Sequence, residues 1–336
     1  MQQIFDGHND VLLRLWLAGD VEGQSFFSGN PDTHIDWPRA RKGGLAGGFF
    51  AIFTPPPGKA LLSTAGVDLA HAARATAAMI SIFDHLCDHH PERFRRCLNA
   101  AEAEAAMADG VMAAILHIEG AEAIDASLDN LEGLYQQGLR SLGPVWSRSN
   151  VFGHGVPFDF PGSPDQLPGL TDAGKALVRA CDEMGIMLDC SHLNEAGFRD
   201  IAAISTRPLV ATHSNSHMLC PSPRNLTDAQ LAMIAESGGM VGINFASGFL
   251  RDDGRKTADT TLDIMLAHLD HLISHLGEGH IGLGSDFDGA IIPSAIGDCA
   301  GLPRLVQAMR DHGFGDDLID RICRRNWLDQ IKVQIG

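Results

Sequence analysis

The chain lacks the features that mark several large classes of protein. Its 336 residues hold 25 Lys and Arg against 42 Asp and Glu, and the net charge of −17 disfavours nucleic acid or an anionic membrane as a partner. No run of about 18 apolar residues occurs, so no membrane-spanning helix is expected. The first residues carry neither the basic start nor the apolar core of a signal peptide.

The cysteines also fail to form a pattern. There are seven of them, an odd number, and they are scattered without any C-x-x-C pair. Such an arrangement favours reduced thiols over a disulfide framework. We therefore predict a cytoplasmic protein.

Short runs rich in Val, Ile and Phe alternate along the chain with longer helical patterns, which is typical of βαβ units and a parallel sheet. No glycine-rich dinucleotide fingerprint follows the first run, which disfavours an open doubly wound sheet. The sequence thus predicts an α/β fold, a single-domain (β/α)8 TIM barrel over residues 1–336. The predicted strands are Ile4–Asp10, Gly48–Thr54, Val111–Glu119, Leu139–Trp146, Ile186–His192, Pro208–His213, Met240–Phe245 and Ile281–Asp286.

Two long segments, Asp20–Arg41 and Asn150–Pro168, do not fit the helical pattern, and the second is rich in Gly, Pro and Phe. Loops of this length in a compact domain are usually lids or binding loops. Both segments are predicted to be irregular.

Polar side chains stand at the ends of five predicted strands. In a barrel of this type the active site lies at the C-terminal ends of the strands. One acidic or imidazole side chain there is as well explained by a helix cap or a hydrogen-bonded rim position. Six such side chains at one rim are costly to bury unless cations compensate their charge. This number of ligands suits two metal ions that share a carboxylate. The six are His8, Asp10, Glu119, His192, His213 and Asp286.

These residues lie in motifs that resemble those of the membrane (renal-type) dipeptidases, peptidase family M19, a family of amidohydrolase-like metal-dependent barrels. The motifs follow one another in family order over most of the chain. They are Asp6-Gly7-His8-Asn9-Asp10, Ile118-Glu119-Gly120, Asp189-Cys190-Ser191-His192, Ala211-Thr212-His213-Ser214-Asn215-Ser216 with Pro223-Arg224-Asn225-Leu226, and Gly284-Ser285-Asp286-Phe287-Asp288-Gly289.

The resemblance implies a centre of two Zn²⁺ ions. His8 and Asp10 would hold one ion and His192 and His213 the other, while Glu119 and a hydroxide would bridge them. Two further roles follow from it. Asp286 would handle the proton, and Arg224 would bind the substrate carboxylate, for which its planar fork is suited.

The chain departs from the family at the end of the fourth predicted strand. Trp146 stands where the renal-type enzymes have a histidine that contacts substrate. Either another donor, His154 being the candidate, replaces that histidine, or the substrate differs. Two other residues, Asp6 and His117, are expected inside the barrel beneath the metal ligands.

The resemblance implies a zinc-dependent dipeptidase with a small dipeptide as substrate. A metal-dependent amidohydrolase acting on another small amide, a lactam or an N-acyl amino acid is the first alternative. A metal-bound ligand-binding protein without turnover is the second. Family members often form homodimers, so a homodimer is a further expectation.

Overall fold

Parallel strands form one curved sheet in the computed structural model, which describes residues 1–336. The strands are β1 Ile4–Asn9, β2 Leu45–Phe53, β3 Phe94–Arg96, β4 Met112–Glu119, β5 Leu139–Gly143, β6 Met187–Leu188, β7 Val210–Ala211, β8 Met240–Asn244 and β9 Ile281–Gly284. Their order in the sheet is β6-β5-β4-β2-β1-β9-β8-β7, and β3 pairs with β4 outside this path. The two ends of the path are joined by a backbone bridge between Asp189 and Val210. Eight strands therefore make a nearly closed barrel, and the predicted (β/α)8 architecture is confirmed.

Strand β3 was not expected from the sequence. It runs beside the start of β4, where Phe94 lies opposite Met112. The buried Phe94 ring meets Phe50 and Phe83 edge-on, with centroids 4.8 and 5.7 Å apart. A three-residue strand with one apolar side chain is too short to show an alternating pattern.

Helices follow the strands and surround the barrel. Several begin at a polar residue whose side chain accepts a backbone N–H bond of the first turn, as Asp68, Asn99 and Thr227 do. No helix combines the length and the apolar character that a membrane span requires. The helices are α1 Val11–Ala18, α2 Gln24–Ser28, α3 Trp37–Gly43, α4 Leu69–His89, α5 Ala100–Ala108, α6 Leu131–Gln136, α7 Asp172–Met184, α8 Glu195–Ile204, α9 Asp228–Ser237, α10 Ser247–Leu250, α11 Leu262–Leu276, α12 Leu302–His312, α13 Asp316–Asp320 and α14 Asn326–Ile335.

The two segments predicted to be irregular differ in outcome. Residues 150–168 contain no helix or strand, as expected. For Asp20–Arg41 the prediction was wrong, because α2 and most of α3 lie there. Helix α3 forms because the Asp36 carboxylate accepts a bond from Arg39 N at 2.8 Å and Pro38 occupies its first turn. Helices this short, which are defined mainly by their capping residues, show little of the apolar periodicity by which a helix is recognised in a sequence.

Backbone atoms approach one another closely in the interior of the barrel below the rim. The carbonyl oxygen of Thr212 projects inward from the end of β7 and faces three glycines on the strands opposite and beside it. A Cβ atom at Gly7, Gly242 or Gly284 would lie 2.5, 2.0 or 2.0 Å from this oxygen. Only glycine allows the approach, and the approach carries the next residue, His213, toward the barrel axis.

Candidate active site

Three of the predicted ligands converge on a carboxylate oxygen of a fourth, Glu119, at the rim of the barrel. From Glu119 Oε1 the distances are 2.8 Å to His192 Nε2, 3.3 Å to His213 Nε2 and 3.8 Å to His8 Nε2. The four residues are at most 6 % exposed. They come from the ends of β1 and β4 and from the loops that follow β6 and β7, so the parallel sheet brings them together.

Asp10 and Asp286 complete the cluster on the side of His8. Asp10 Oδ2 lies 3.7 Å from His8 Nε2, and the ligating atoms of these three residues all lie within 4.8 Å of one another. Asp286 Oδ2 also accepts a hydrogen bond from Asn244 Nδ2 at 3.0 Å. All six side chains predicted from the strand ends therefore share one site.

Two residues of the site have left-handed backbones that L-amino acids rarely adopt. His192 has a φ of 67° and Asp286 a φ of 56°. Such conformations cost of order 1–3 kcal/mol each and cluster at functional sites. The backbone is held there by bonds such as the one from Asp286 N to the carbonyl of His8 at 3.0 Å.

The proton on His213 can be assigned from its partners. The Thr212 hydroxyl donates to Asp189 Oδ2 at 2.5 Å, so its oxygen must accept from His213 Nδ1, which lies 2.8 Å away. His213 Nε2 therefore carries a lone pair. It lies 3.3 Å from His192 Nε2, and both nitrogens stand close to Glu119 Oε1. This arrangement suits a cation between them.

The charges of the site also fit bound cations. Both ring nitrogens of His8 are buried without a hydrogen-bond partner. Buried polar atoms without a partner are rare in native proteins. Burial acts to lower the His8 pKa, but the carboxylates of Glu119 and Asp10 outweigh it and raise that pKa to about 10. Burial raises the Glu119 pKa to about 8 and lowers those of His192 and His213 far below the usual value. The donor set is thus incomplete without positive charge, and it consists of imidazole and carboxylate ligands that suit zinc.

Arg224 lies directly behind these ligands. It is 3 % exposed, and its guanidinium donates to Ser214 Oγ at 3.0 Å and to the carbonyl of His213 at 3.1 Å. Its Nε has no partner. The guanidinium stands 5.7 Å from the ring centre of Phe249, which lines the adjoining cavity. A positive group therefore stands close to the cavity, although Arg224 is not among the residues that line it.

A cavity of about 490 Å³ opens over the metal ligands. Trp146 is part of its wall, with ring centres 4.8 Å from Phe53, 5.3 Å from Phe158 and 5.8 Å from His192. The wall is mainly apolar, yet it includes two cations that the sequence did not point to. The lining residues outside the metal cluster are Leu13, Arg14, Phe53, Ala60, Leu61, Leu62, Trp146, Phe158, Ala246, Gly248, Phe249, Lys256, Gly289, Ala290 and Ile291.

His154 lies apart from the metal cluster and from the cavity wall. Its Nδ1 pairs with Ser149 Oγ at 2.8 Å, and its side chain is not part of the cavity wall. His154 therefore does not stand in for the family histidine that Trp146 replaces.

The two interior residues lie where the sequence predicts. His117 is fully buried, pairs with Ser141 Oγ at 2.9 Å and meets the His8 ring edge-on with centroids 5.5 Å apart. Asp6 accepts bonds from the backbone and hydroxyl of Ser285 at 2.7 and 2.6 Å. Both support the layer from which the ligands project.

Comparison with known proteins agrees with this geometry. Residues 1–333 match the family model described as membrane dipeptidase, peptidase family M19. The chain belongs to peptidase family M19. It is accordingly a hydrolase of the metallo-dipeptidase type, as the sequence motifs implied.

Two solved structures of this family are similar over the whole chain. A metallopeptidase from Rhodobacter sphaeroides, crystallised with a phosphinate mimic of the dipeptide L-Ala-D-Ala, is 49 % identical with a TM-score of 0.96 and 99 % coverage of both chains. Dipeptidase AC, a metallopeptidase of family M19, is 50 % identical with a TM-score of 0.97, covering 100 % of this chain and 99 % of its own. A Klebsiella pneumoniae relative, the uncharacterised protein in the pqqA 5′ region, is 48 % identical over 253 residues, 75 % of this chain and 93 % of the relative.

Proposed function

We propose that this M19 enzyme is a zinc-dependent dipeptidase that binds two Zn²⁺ ions. The observation that carries the proposal is the convergence of three imidazoles on Glu119, with Asp10 and Asp286 beside them, at the floor of a cavity of about 490 Å³. A cavity of this size suits a small ligand. The Rhodobacter relative, 49 % identical, binds a mimic of a dipeptide.

The residues divide between two ions and their substrate. His8 and Asp10 would hold one ion, His192 and His213 the other, and Glu119 both. When bound, the pair of ions supplies an activated water and polarises the scissile carbonyl. Side chains of the protein carry out the remaining steps.

Asp286 is assigned the proton transfer to the leaving amine. Burial raises its pKa to about 6, so the carboxyl can take up and release a proton near neutral pH. Asn244 Nδ2 fixes its Oδ2, while its φ of 56° turns the side chain toward His8 and Asp10. The Trp146 ring, at the wall beside His192, keeps water from that side of the reacting bond.

A second candidate function is kept because of Trp146. The family histidine at this position is absent, and the aromatic wall would also accept the acyl group of an N-acyl amino acid or a lactam ring.

The cytoplasmic location and the homodimer remain expectations. Seven free, buried cysteines support the first of these.

A substrate panel separates the two functions. We expect the zinc-loaded enzyme to hydrolyse dipeptides such as L-Ala-D-Ala and L-Ala-L-Ala with a kcat/KM at least about tenfold above that for N-acetyl amino acids, because the dipeptide offers a free amine beside the acidic cluster. Amine release measured over the panel checks this. A higher kcat/KM for the N-acyl substrates would favour the alternative.

Arg224→Ala is expected to weaken binding of substrates that carry a free C-terminal carboxylate. Loss of a charged hydrogen bond of about 1.5–3 kcal/mol predicts a rise in KM of roughly 10- to 100-fold, with a smaller change in kcat. KM is to be compared between a dipeptide and its C-terminal amide. The rise should be much smaller for the amide, because it offers no carboxylate to the guanidinium.

Lys256→Ala is the matched control for this experiment, since Lys256 is the exposed cation of the same cavity. Its KM values for the dipeptide and the amide should change little. Equal losses on both substrates in Arg224→Ala would show instead that the arginine supports His213 through the bond to its carbonyl. The zinc content of each variant identifies that case.

A further inference from the structure

A second cluster of metal-ligating side chains lies on the surface, outside the active-site cavity. His271 and His275 are one turn apart on α11, and Asp228 is the first residue of α9. Asp228 Oδ1 stands 3.0 Å from His271 Nε2 and 3.8 Å from His275 Nε2. The three atoms all lie within 4.8 Å of one another.

These distances are those of a ligand set. Ligands at about 2.0–2.2 Å from a tetrahedral zinc ion are separated by about 3.3–3.5 Å, and the two nitrogen–oxygen distances bracket that value. Residues four apart on a helix present their side chains on one face, so a single ion can bind both imidazoles. The side chains of His271, His275 and Asp228 are 18, 31 and 42 % exposed. An ion can therefore enter, and water can complete its coordination.

A hydrogen bond between His271 and Asp228 explains only half of the arrangement. At 3.8 Å, the His275 nitrogen is too far from Asp228 Oδ1 for a hydrogen bond, yet it faces the same oxygen. His275 also stands in the last turn of α11, where the partial negative charge of the helix end favours a cation. The carboxylate of Asp228 adds a full negative charge.

We propose that Asp228, His271 and His275 form a peripheral site for a divalent cation of the zinc type. Two imidazoles and one carboxylate are ligands that zinc accepts, with water as the fourth. The site would join α9 to α11 and so stabilise the folded chain, because the unfolded chain does not bring the three ligands together. It is separate from the catalytic centre and does not depend on the reaction assigned there.

Zinc stoichiometry tests the proposal. The full-length enzyme and the variants His271→Ala, His275→Ala and Asp228→Asn are equilibrated with buffered free zinc raised stepwise through the micromolar range, and bound zinc is counted. Each variant should bind one equivalent fewer than the wild type, with dipeptide turnover unchanged. His312→Ala is the control, since His312 pairs with Asp270 of the same helix at 2.8 Å and lies outside the triad. Equal stoichiometry in wild type and variants would overturn the proposal.

A stability measurement gives an independent reading. Zinc added beyond the concentration that saturates activity should raise the thermal midpoint of the wild type and leave that of His275→Ala unchanged. Because the comparison begins from an already saturated active site, it holds whatever the enzyme hydrolyses. The same zinc-induced shift in both proteins would contradict a site at His275.

Discussion

Removal of the metal ions with a chelator is expected to abolish dipeptide hydrolysis, and added zinc is expected to restore it. The reason lies in the charge balance of the site. Asp10, Glu119 and Asp286 are gathered at the rim with three imidazoles, and this set of ligands would hold the two cations that activate water and polarise the scissile carbonyl. Activity should fall by several orders of magnitude, since metal ions supply both functions in sites of this kind.

The same site predicts how zinc affinity depends on pH. In the metal-free protein the carboxylates of Glu119 and Asp10 raise the His8 pKa to about 10, so the pair of His8 and Glu119 holds at least one proton at pH 7. Zinc must displace this proton. Affinity should therefore rise with pH from 6 toward 8 and more gradually toward 10, and binding at pH 7 should release protons into a weakly buffered solution.

Two histidine variants make the chelation experiment specific. His192→Ala removes a ligand 2.8 Å from Glu119 and should lose both zinc and activity. His154→Ala, in the loop beside it, changes a side chain that pairs with Ser149 and should retain both. Full activity in metal-free protein with an intact circular dichroism spectrum would refute the metal dependence.

Replacement of Asp286 by Asn should have the second largest effect. The amide keeps the size of the side chain and can still pair with Asn244, but it cannot carry a proton between water and the leaving amine. General acid–base catalysis contributes about 10²- to 10⁴-fold, so kcat should fall by that amount with little change in KM. Steady-state kinetics on a dipeptide measures both constants.

Zinc content distinguishes this role from ligation. Asp10→Asn should lower bound zinc together with the rate, because Asp10 is assigned as a ligand. Asp286→Asn should lower the rate at unchanged zinc content. A loss of zinc in proportion to the loss of rate in Asp286→Asn would make Asp286 a ligand rather than the proton carrier.

The sequence was informative wherever function follows a local pattern. Buried runs that end in a polar residue located the strands, and the parallel arrangement of a barrel then implied that His8, Glu119, His192 and His213 would meet. The prediction of a common centre needed no knowledge of loops. The candidate substrate contact His154 was not part of that centre, and its position could not be predicted, because the path of a glycine-flanked loop depends on contacts such as that with Ser149 rather than on strand geometry.

The cavity wall could not be predicted in the same way. Arg14 is on α1, Phe158 is in the long loop after β5, and Lys256 lies between α10 and α11. None follows the strand-end pattern, and nothing in the sequence relates segments so far apart along the chain. The apolar contacts that gather Trp146, Phe53 and Phe158 decide which of these side chains reach the substrate.

The Thr212 carbonyl makes the glycines that surround it sensitive to substitution. A Cβ atom on Gly242 or Gly284 would lie 2.0 Å from that oxygen, so one of the strands would have to move, and a shift of Thr212 would also displace the neighbouring His213. Alanine at either glycine is therefore expected to lower activity although every ligand, acid and substrate-binding residue is unchanged. Tolerance to mutation in this protein is therefore set by a lower tier of strand residues as strictly as by the catalytic groups above it.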